Sequence, residues 1–351
     1  MRPDKQLKQW IFAARIFGKG LTWHDYLKIT RYIFLKRILQ KNIPVSAVFA
    51  ITYRCQCNCV HCSVGAYKSK PDEELTTREI KNAINALSKL WIFKITFFGG
   101  EPLLREDLFE LLNYAGSLRM RVSIDTNGLA LTPEVVKKLK LAKIANVNIS
   151  LDSPDPDIHD KLRGVPGCFE RAISGIKLCV AAGIPCLVST YASKRAIANG
   201  DMKKLISLSR SLGASGVKIL LPIISGKWLG SMEEKLSLQE EEEVRKLLDP
   251  LFVYIEDALS MLRNSSKRCS SLDKNFFYIS PFGDIQLCPA VPLSFGNIRH
   301  HDLSSIVKKM WAHPTSNIKC EGCLINNKVF RDRYFSKITE KNNLPISAYE
   351  A

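Results

Sequence analysis

Short apolar runs alternate with amphipathic stretches from residue 46 onward. Val48–Tyr53, Lys94–Phe98, Val122–Asp125, Val147–Leu151, Cys186–Thr190 and Val217–Pro222 read as six strands. Helices are expected around Thr77–Leu90, Asp107–Leu118, Pro133–Leu141, Phe169–Ala182 and Met202–Leu212. Their ends carry start and stop signals. Thr76 and Thr132 cap two starts, Pro133 takes a first helical position, and Gly183 and Gly213 close two ends. Strands read as apolar on both faces and alternating with helices imply a parallel sheet covered by helices. Periodicity alone leaves a barrel and a doubly wound sheet both open.

After Ser225 the rhythm changes. Leu236–Arg263 is charged and helical, and its acidic cluster Glu240–Glu243 reads as a solvated face. Residues 266–330 are loop-rich and hold four cysteines. The expected organisation is an N-terminal extension (1–45), a strand–helix domain (46–230), a connecting helix (231–265), a small cysteine-bearing unit (266–330) and a tail (331–351).

The 351 residues carry a net charge of +17. Residues 1–45 hold ten Lys/Arg against two Asp/Glu, a net +8, with seven aromatics including Trp10, Trp23, Tyr26 and Phe34. Such a segment suits either packing on the main domain or an anionic membrane surface. Tyr26–Leu39 is apolar nearly all round, which favours packing. No nucleic-acid motif is present. The longest uncharged stretch, Leu178–Ser193, is broken by Gly183 and Pro185 and falls short of a membrane span. The basic N-terminus lacks the apolar core of a signal peptide. A cytoplasmic protein is expected, with peripheral contact at the inner face of the membrane as the second possibility.

Eleven cysteines, an odd count, argue for metal or cluster ligation rather than a disulfide scaffold. Cys57, Cys168, Cys179 and Cys186 have no ligand-like spacing and read as buried apolar thiols. Cys55, Cys59 and Cys62 form a Cys-x3-Cys-x2-Cys set directly after the first strand. Three thiolates from one loop can hold three irons of a [4Fe–4S] cube and leave the fourth iron open. Zinc asks for four ligands, and His61 beside Cys62 is an awkward fourth.

This loop resembles that of the radical S-adenosylmethionine (SAM) superfamily, whose hallmark is that spacing. Gly99-Gly100-Glu101-Pro102, after the second strand, resembles the family's motif for the methionine amino group. The resemblance implies a partial (β/α)6 barrel and places further SAM contacts at strand ends: Thr126 and Asn127 after the third, Ser150 and Asp152 after the fourth, Ser189 near the end of the fifth, and Leu221 after the sixth. It implies that Arg163 pairs with the SAM carboxylate and that His61 stacks beside the adenine.

Cys269, Cys288, Cys320 and Cys323 resemble the shortened "twitch" form of the SPASM domain, which carries an auxiliary [4Fe–4S] cluster. A zinc ribbon is the alternative for four thiolates. The resemblance covers roughly residues 46–330. It implies reductive cleavage of SAM to a 5′-deoxyadenosyl radical, hydrogen abstraction from a substrate, and a flavodoxin- or ferredoxin-type electron donor. Substrates of such enzymes include small molecules, tetrapyrroles, lipids and peptides. A tetrapyrrole bearing several carboxylates suits the positive charge. The rival class is a non-catalytic iron–sulfur electron carrier or scaffold, which an open iron and a glycine loop argue against.

Overall fold

The structure, a computed structural model, describes residues 22–41, 43–69, 73–255, 269, 271–320, 322–334 and 344–350. Part of the N-terminal extension (1–21), the end of the expected connecting helix and part of the tail therefore lie outside the described residues.

The six expected strands form, as β1 (Ser46–Thr52), β2 (Lys94–Gly99), β3 (Arg121–Thr126), β4 (Asn146–Ser150), β5 (Cys186–Tyr191) and β6 (Gly216–Leu220). They pair in parallel in that spatial order. α1 (Trp23–Ile33) precedes them, and the next helices cross between strands as α2 (Thr77–Lys89), α3 (Leu108–Ser117) and α4 (Pro133–Leu141). α5 (Pro156–Arg163) and α6 (Cys168–Ala181) follow β4, and α7 (Lys194–Ala198) and α8 (Asp201–Ser211) follow β5. The short helices α5 and α7 lie where the pattern reads as loop. Asp155 and Ser193 start them by accepting from the backbone N–H of Ile158 and Ala196.

Helix α2 shows why these segments fold as they do. Thr76 and Glu79 close a reciprocal cap at its start, and Ile80, Ala83, Ile84 and Leu87 bury one stripe against the sheet. The strands answer with Ala47, Phe49, Ile95, Phe97, Ile124, Val147 and Val188 on their helix-facing side, all fully buried or nearly so.

The other face of the strands is a correction to the sequence reading, which took them as apolar on both sides. Side chains alternate along a strand, so Ser123 and Asp125 on β3, Asn146 and Asn148 on β4, Ser189 on β5 and Lys218 on β6 share the concave face. That face is polar, and its groups bond one another. Ser123 donates to Asn146 at 2.7 Å, Asn146 donates to Asn148 at 2.8 Å, Asn148 donates to Asp125, and Lys218 lies 3.5 Å from Asp125. Mutual bonding is what makes burial of these groups tolerable.

Two further strands flank the six. The expected long connecting helix is shorter: α9 covers only Leu238–Lys246, and β7 (Val253–Ile255) then joins β6 in parallel. At the other edge β8 (Phe276–Ile279) runs parallel to β1, and β9 (Ile285–Gln286) turns back against it. The C-terminal unit therefore shares the main sheet. β10 (Leu293–Ser294), α10 (Leu303–Ala312) and α11 (Lys328–Tyr334) complete it, and β11 (Ile346–Ser347) returns from the tail to pair with β10. Arg299 clamps this unit to α2, donating to Glu79 at 2.7 Å.

Candidate functional site: the cysteine loop at the barrel mouth

The cysteine loop leaves β1 at its C-terminal end, where function gathers in alternating strand–helix barrels. Backbone bonds fix it on both sides. The N–H groups of Asn58 and Val60 donate to the carbonyls of Arg163 and Leu162 at the end of α5, at 2.9 and 3.0 Å. The Cys62 carbonyl accepts from Lys227 N–H at 3.1 Å.

The glycine loop rests on the end of β1. Gly100 N–H donates to the Thr52 carbonyl and Glu101 N–H to the Arg54 carbonyl, each at 2.8 Å. A Cβ on Gly99 would sit 2.0 Å from the Thr52 carbonyl oxygen, and one on Gly100 2.3 Å from that of Arg54. Their bareness lets the loop after β2 lie directly on the strand end that launches the cysteines. Pro102 then opens a buried single turn, Pro102–Leu104.

Glu101 is fully buried and gathers the next strand end. It accepts from Thr126 Oγ1 and Asn127 N–H, both at 2.8 Å, and from Leu103 N–H at 3.1 Å. Burial pushes its carboxyl up to about 7 against the pull of those donors. Asn127 in turn reaches Gln56 at 3.1 Å and lies 3.8 Å from Cys55 Sγ. Ends of β1, β2 and β3 are thus one hydrogen-bonded assembly.

Arg163 is buried and engaged within the protein. Its Nη2 sits 2.7 Å from Asp152, and its Nη1 donates to Cys59 Sγ at 3.6 Å. Burial alone would raise the Asp152 carboxyl, but Arg163, then His61 and His159, hold it below the usual range. The Cys59 thiol is lowered by its contact with Cys57, and Arg163 adds to that pull.

The His61 ring lies 4.0 Å from that of Tyr191 and 6.0 Å from that of Trp228, centroid to centroid. Burial pushes its pKa down to about 4, although Asp152 stands 3.5 Å away. Its Nδ1 is buried and has no hydrogen-bond partner among the described residues. Tyr191 and Trp228 were missed by the sequence reading. Tyr191 could have been found as the next strand-end residue of β5, while Trp228 lies beyond β6 in a turn without a motif.

Beside these rings a cavity of about 360 Å³ opens, lined by Val60, Asp152, Tyr191, Lys194, Trp228 and Glu234, among others. Of the strand-end residues expected at the site, only Asp152 lines it. Ser150 and Ser189 pair in register across β4 and β5. Leu221 packs, half-buried, against the main core.

Three half-buried cysteines at one mouth, with N–H donors aimed at two of the sulfurs, fit a thiolate-held cluster. The C-terminal cysteines are also half-buried. Cys288 follows β9, Cys269 leads towards β8, and Cys320 and Cys323 lie between two single-turn helices, Pro314–Asn317 and Leu324–Asn326. Among the described residues no three His, Cys, Asp or Glu side chains converge as a single-ion site requires.

Residues 49–193 match the sequence model of the radical SAM superfamily. The match takes in the chain from β1 to the end of β5. Similarity to that superfamily implies a [4Fe–4S] cluster and SAM as cofactors. An "AdoMet-dependent heme synthase" of Methanosarcina barkeri is 34% identical over 59% of this chain and 58% of its own length. "Mycofactocin maturase MftC" of Mycobacterium tuberculosis is 34% identical over 50% of the chain and 44% of its own. The chain thus spans little more than half of the first relative and less than half of the second. In fold it is similar to Streptococcus suis SuiB, solved with its precursor peptide SuiA, at a TM-score of 0.66, 16% identity, and coverage of 86% of this chain and 76% of that one. The expected α/β barrel with a C-terminal unit holds. No described helix is long and apolar enough to cross a membrane.

Proposed function

We propose that this chain is a SAM-cleaving oxidoreductase or maturase, with Cys55, Cys59 and Cys62 holding the reactive [4Fe–4S] cluster. The placement of those thiols at the mouth, with Arg163 and Asn127 donors on the sulfurs, carries the reading. When bound, such a cluster supplies the electron for reductive cleavage of SAM, and the adenosyl carbon radical so produced abstracts a substrate hydrogen.

The protein's own groups bind, orient and exclude water. Arg163 favours the thiolate of Cys59, and Asn127 orients Cys55. Gly99, Gly100, Glu101 and Pro102 hold the strand ends in register beneath the methionine end of SAM. Thr126, Asn127, Ser150, Asp152 and Ser189 supply the polar rim, Leu221 backs it, and the neutral ring of His61 packs with Tyr191 and Trp228 beside the adenine. Cys269, Cys288, Cys320 and Cys323 would hold an auxiliary [4Fe–4S] cluster, which would supply an acceptor for the substrate's electron. A flavodoxin- or ferredoxin-type protein donates the first one.

The substrate reading is a polycarboxylated tetrapyrrole. The concave face carries Lys218, the chain is strongly basic, and the heme synthase relative is 34% identical over 59% of the chain. A peptide is the second reading, favoured by the maturase relative.

Anaerobic, dithionite-reduced protein should release 5′-deoxyadenosine from SAM, and the variant with Cys55, Cys59 and Cys62 all changed to Ala should not. Equal release by both would mean that the loop is not the SAM site, and release by neither would leave the electron-carrier class standing. Contact with a membrane concerns another part of the chain, the helix beneath the barrel.

A further inference from the structure

Helix α1 lies under the barrel at the N-terminal ends of the strands, with the opposite polarity to a surface helix. It docks through polar groups. Asp25 is only 4% exposed, Lys28 Nζ donates to the Arg119 carbonyl at 2.9 Å, and Tyr32 donates to Asn275 at 2.9 Å. Just past its end Lys36 donates to the Asp273 carbonyl at 2.6 Å. Meanwhile Trp23, Tyr26, Leu27, Phe34 and Ile38, spaced along one helical face, point outward. Trp23 is 64%, Tyr26 60% and Ile38 67% exposed. A soluble surface does not ordinarily present so many large apolar side chains together.

The surroundings show what covers them. Arg31 stacks over Trp91, itself 48% exposed, at 4.6 Å. The turns entering β2, β3 and β4 on this underside read Lys-Leu-Trp-Ile-Phe (89–93), Ser-Leu-Arg-Met-Arg (117–121) and Lys-Leu-Ala-Lys-Ile-Ala-Asn (140–146), without one Asp or Glu. Lys89, Arg119, Lys140, Leu141 and Lys143 are exposed there. An apolar stripe flanked by three turns that carry cations and no acid matches one chemistry, the headgroup–acyl boundary of an anionic bilayer.

We propose that the underside of the barrel, built from α1 and the turns before β2, β3 and β4, docks on an anionic membrane surface. The proposal does not depend on the SAM chemistry. Its geometry has a consequence: the cysteine loop sits at the opposite ends of the strands, so the docked barrel opens away from the lipid and takes its substrate from the aqueous side.

The test uses the full chain and vesicles of phosphatidylcholine, with or without about one-third phosphatidylserine. The parent should co-sediment with the anionic vesicles only, and about 0.5 M salt should weaken that binding. Phe34→Ser with Ile38→Ser alters two exposed side chains, leaves the polar docking contacts intact, and should weaken binding at least about tenfold. Independently of any variant, brominated lipid in the anionic vesicles should quench tryptophan fluorescence of the parent, through Trp23 and Trp91. A parent that stays in the supernatant and unquenched overturns the proposal. So does a folded double variant that pellets as the parent does, or one that merely converts a vesicle-indifferent parental dimer to a monomer, which would make the stripe a contact between copies.

Discussion

The guanidinium of Arg163 bridges Asp152, at 2.7 Å, and Cys59 Sγ, at 3.6 Å, so one buried cation ties the end of β4 to the cysteine loop. The Arg163 backbone carbonyl also accepts from Asn58 N–H, which fixes the loop's path as well as its charge. A thiolate is favoured beside an unchanging cation, and Asp152 keeps that cation from standing uncompensated in the interior.

Breaking this pair from one side should therefore cost more than removing it. Asp152→Asn leaves Arg163 buried with no full counter-charge and should destabilise the fold by about 3–5 kcal/mol. Adding Arg163→Gln to it should recover part of that loss, read by urea unfolding. The Asp152 carboxyl lies below its ordinary range. Its stabilising contribution is present above the unfolded value of about 3.9 and is lost as pH falls through the lower folded value. A double variant less stable than the single one would show that the pair is not coupled.

Glu101 behaves in the opposite sense. Its folded pKa is raised to about 7, so the native state holds a proton that the unfolded chain has released. Stability from this group should fall as pH rises from about 4.5 to about 7, by roughly 3 kcal/mol. Glu101→Gln should flatten that slope while shifting stability overall through the donors from Asn127, Thr126 and Leu103. Unfolding midpoints in urea at pH 5 and pH 7.5 give the comparison, and parallel profiles for parent and variant would place the slope elsewhere.

Gly100 distinguishes a ligand cradle from a backbone seam. The carbonyl oxygens of Arg54 and Tyr53 stand 2.3 and 2.6 Å from where its Cβ would be. Both are backbone and cannot swing aside. Gly100→Val should push the start of the cysteine loop off the second strand, so reconstituted iron should fall together with SAM binding. A bare cradle for SAM predicts something else, weaker SAM binding at parental iron content. Iron per chain and SAM affinity measured on the same preparation separate the two.

How much of this was legible in the sequence follows from the range of the interactions. Thr76, Thr132 and Gly183 mark helix ends through contacts within a few residues, and the elements they bound form as expected. Cys55, Cys59 and Cys62 announce themselves by spacing. The partners of Arg163 and Glu101 do not, because Asp152–Arg163 and Glu101–Asn127 are meetings of separate strand ends that only the closed barrel creates. The polar lumen was written in the alternation of Ser123, Asp125, Asn146 and Asn148, yet the intervening Val122, Ile124 and Val147 drew the eye to apolar runs. α1 docks on the barrel through Asp25, Lys28 and Tyr32, a polarity that the rule of apolar faces packing inward does not predict.

Metal content tests both cysteine sets at once. A cube takes one thiolate per iron, so three cysteines on the loop and four in the C-terminal unit account for two cubes. Anaerobically reconstituted parent should therefore hold about eight irons. Changing Cys55, Cys59 and Cys62 to Ala should leave about four, and changing Cys269, Cys288, Cys320 and Cys323 to Ala should leave about four of the other kind. The two remainders should differ in their response to SAM. Only the loop cluster has an iron without a protein ligand, so only it should change its electron paramagnetic resonance signal when SAM is added. About four irons and one zinc in the parent would make the C-terminal unit a zinc ribbon, with a structural role and no electron to accept. Stability then decides how that unit serves the barrel. It lends β8 to the main sheet beside β1, and Arg299 clamps it to α2. Losing its metal should loosen the edge of the sheet next to the strand that launches the cysteine loop, and the variant lacking the four C-terminal cysteines should lose thermal stability even where its loop cluster is intact.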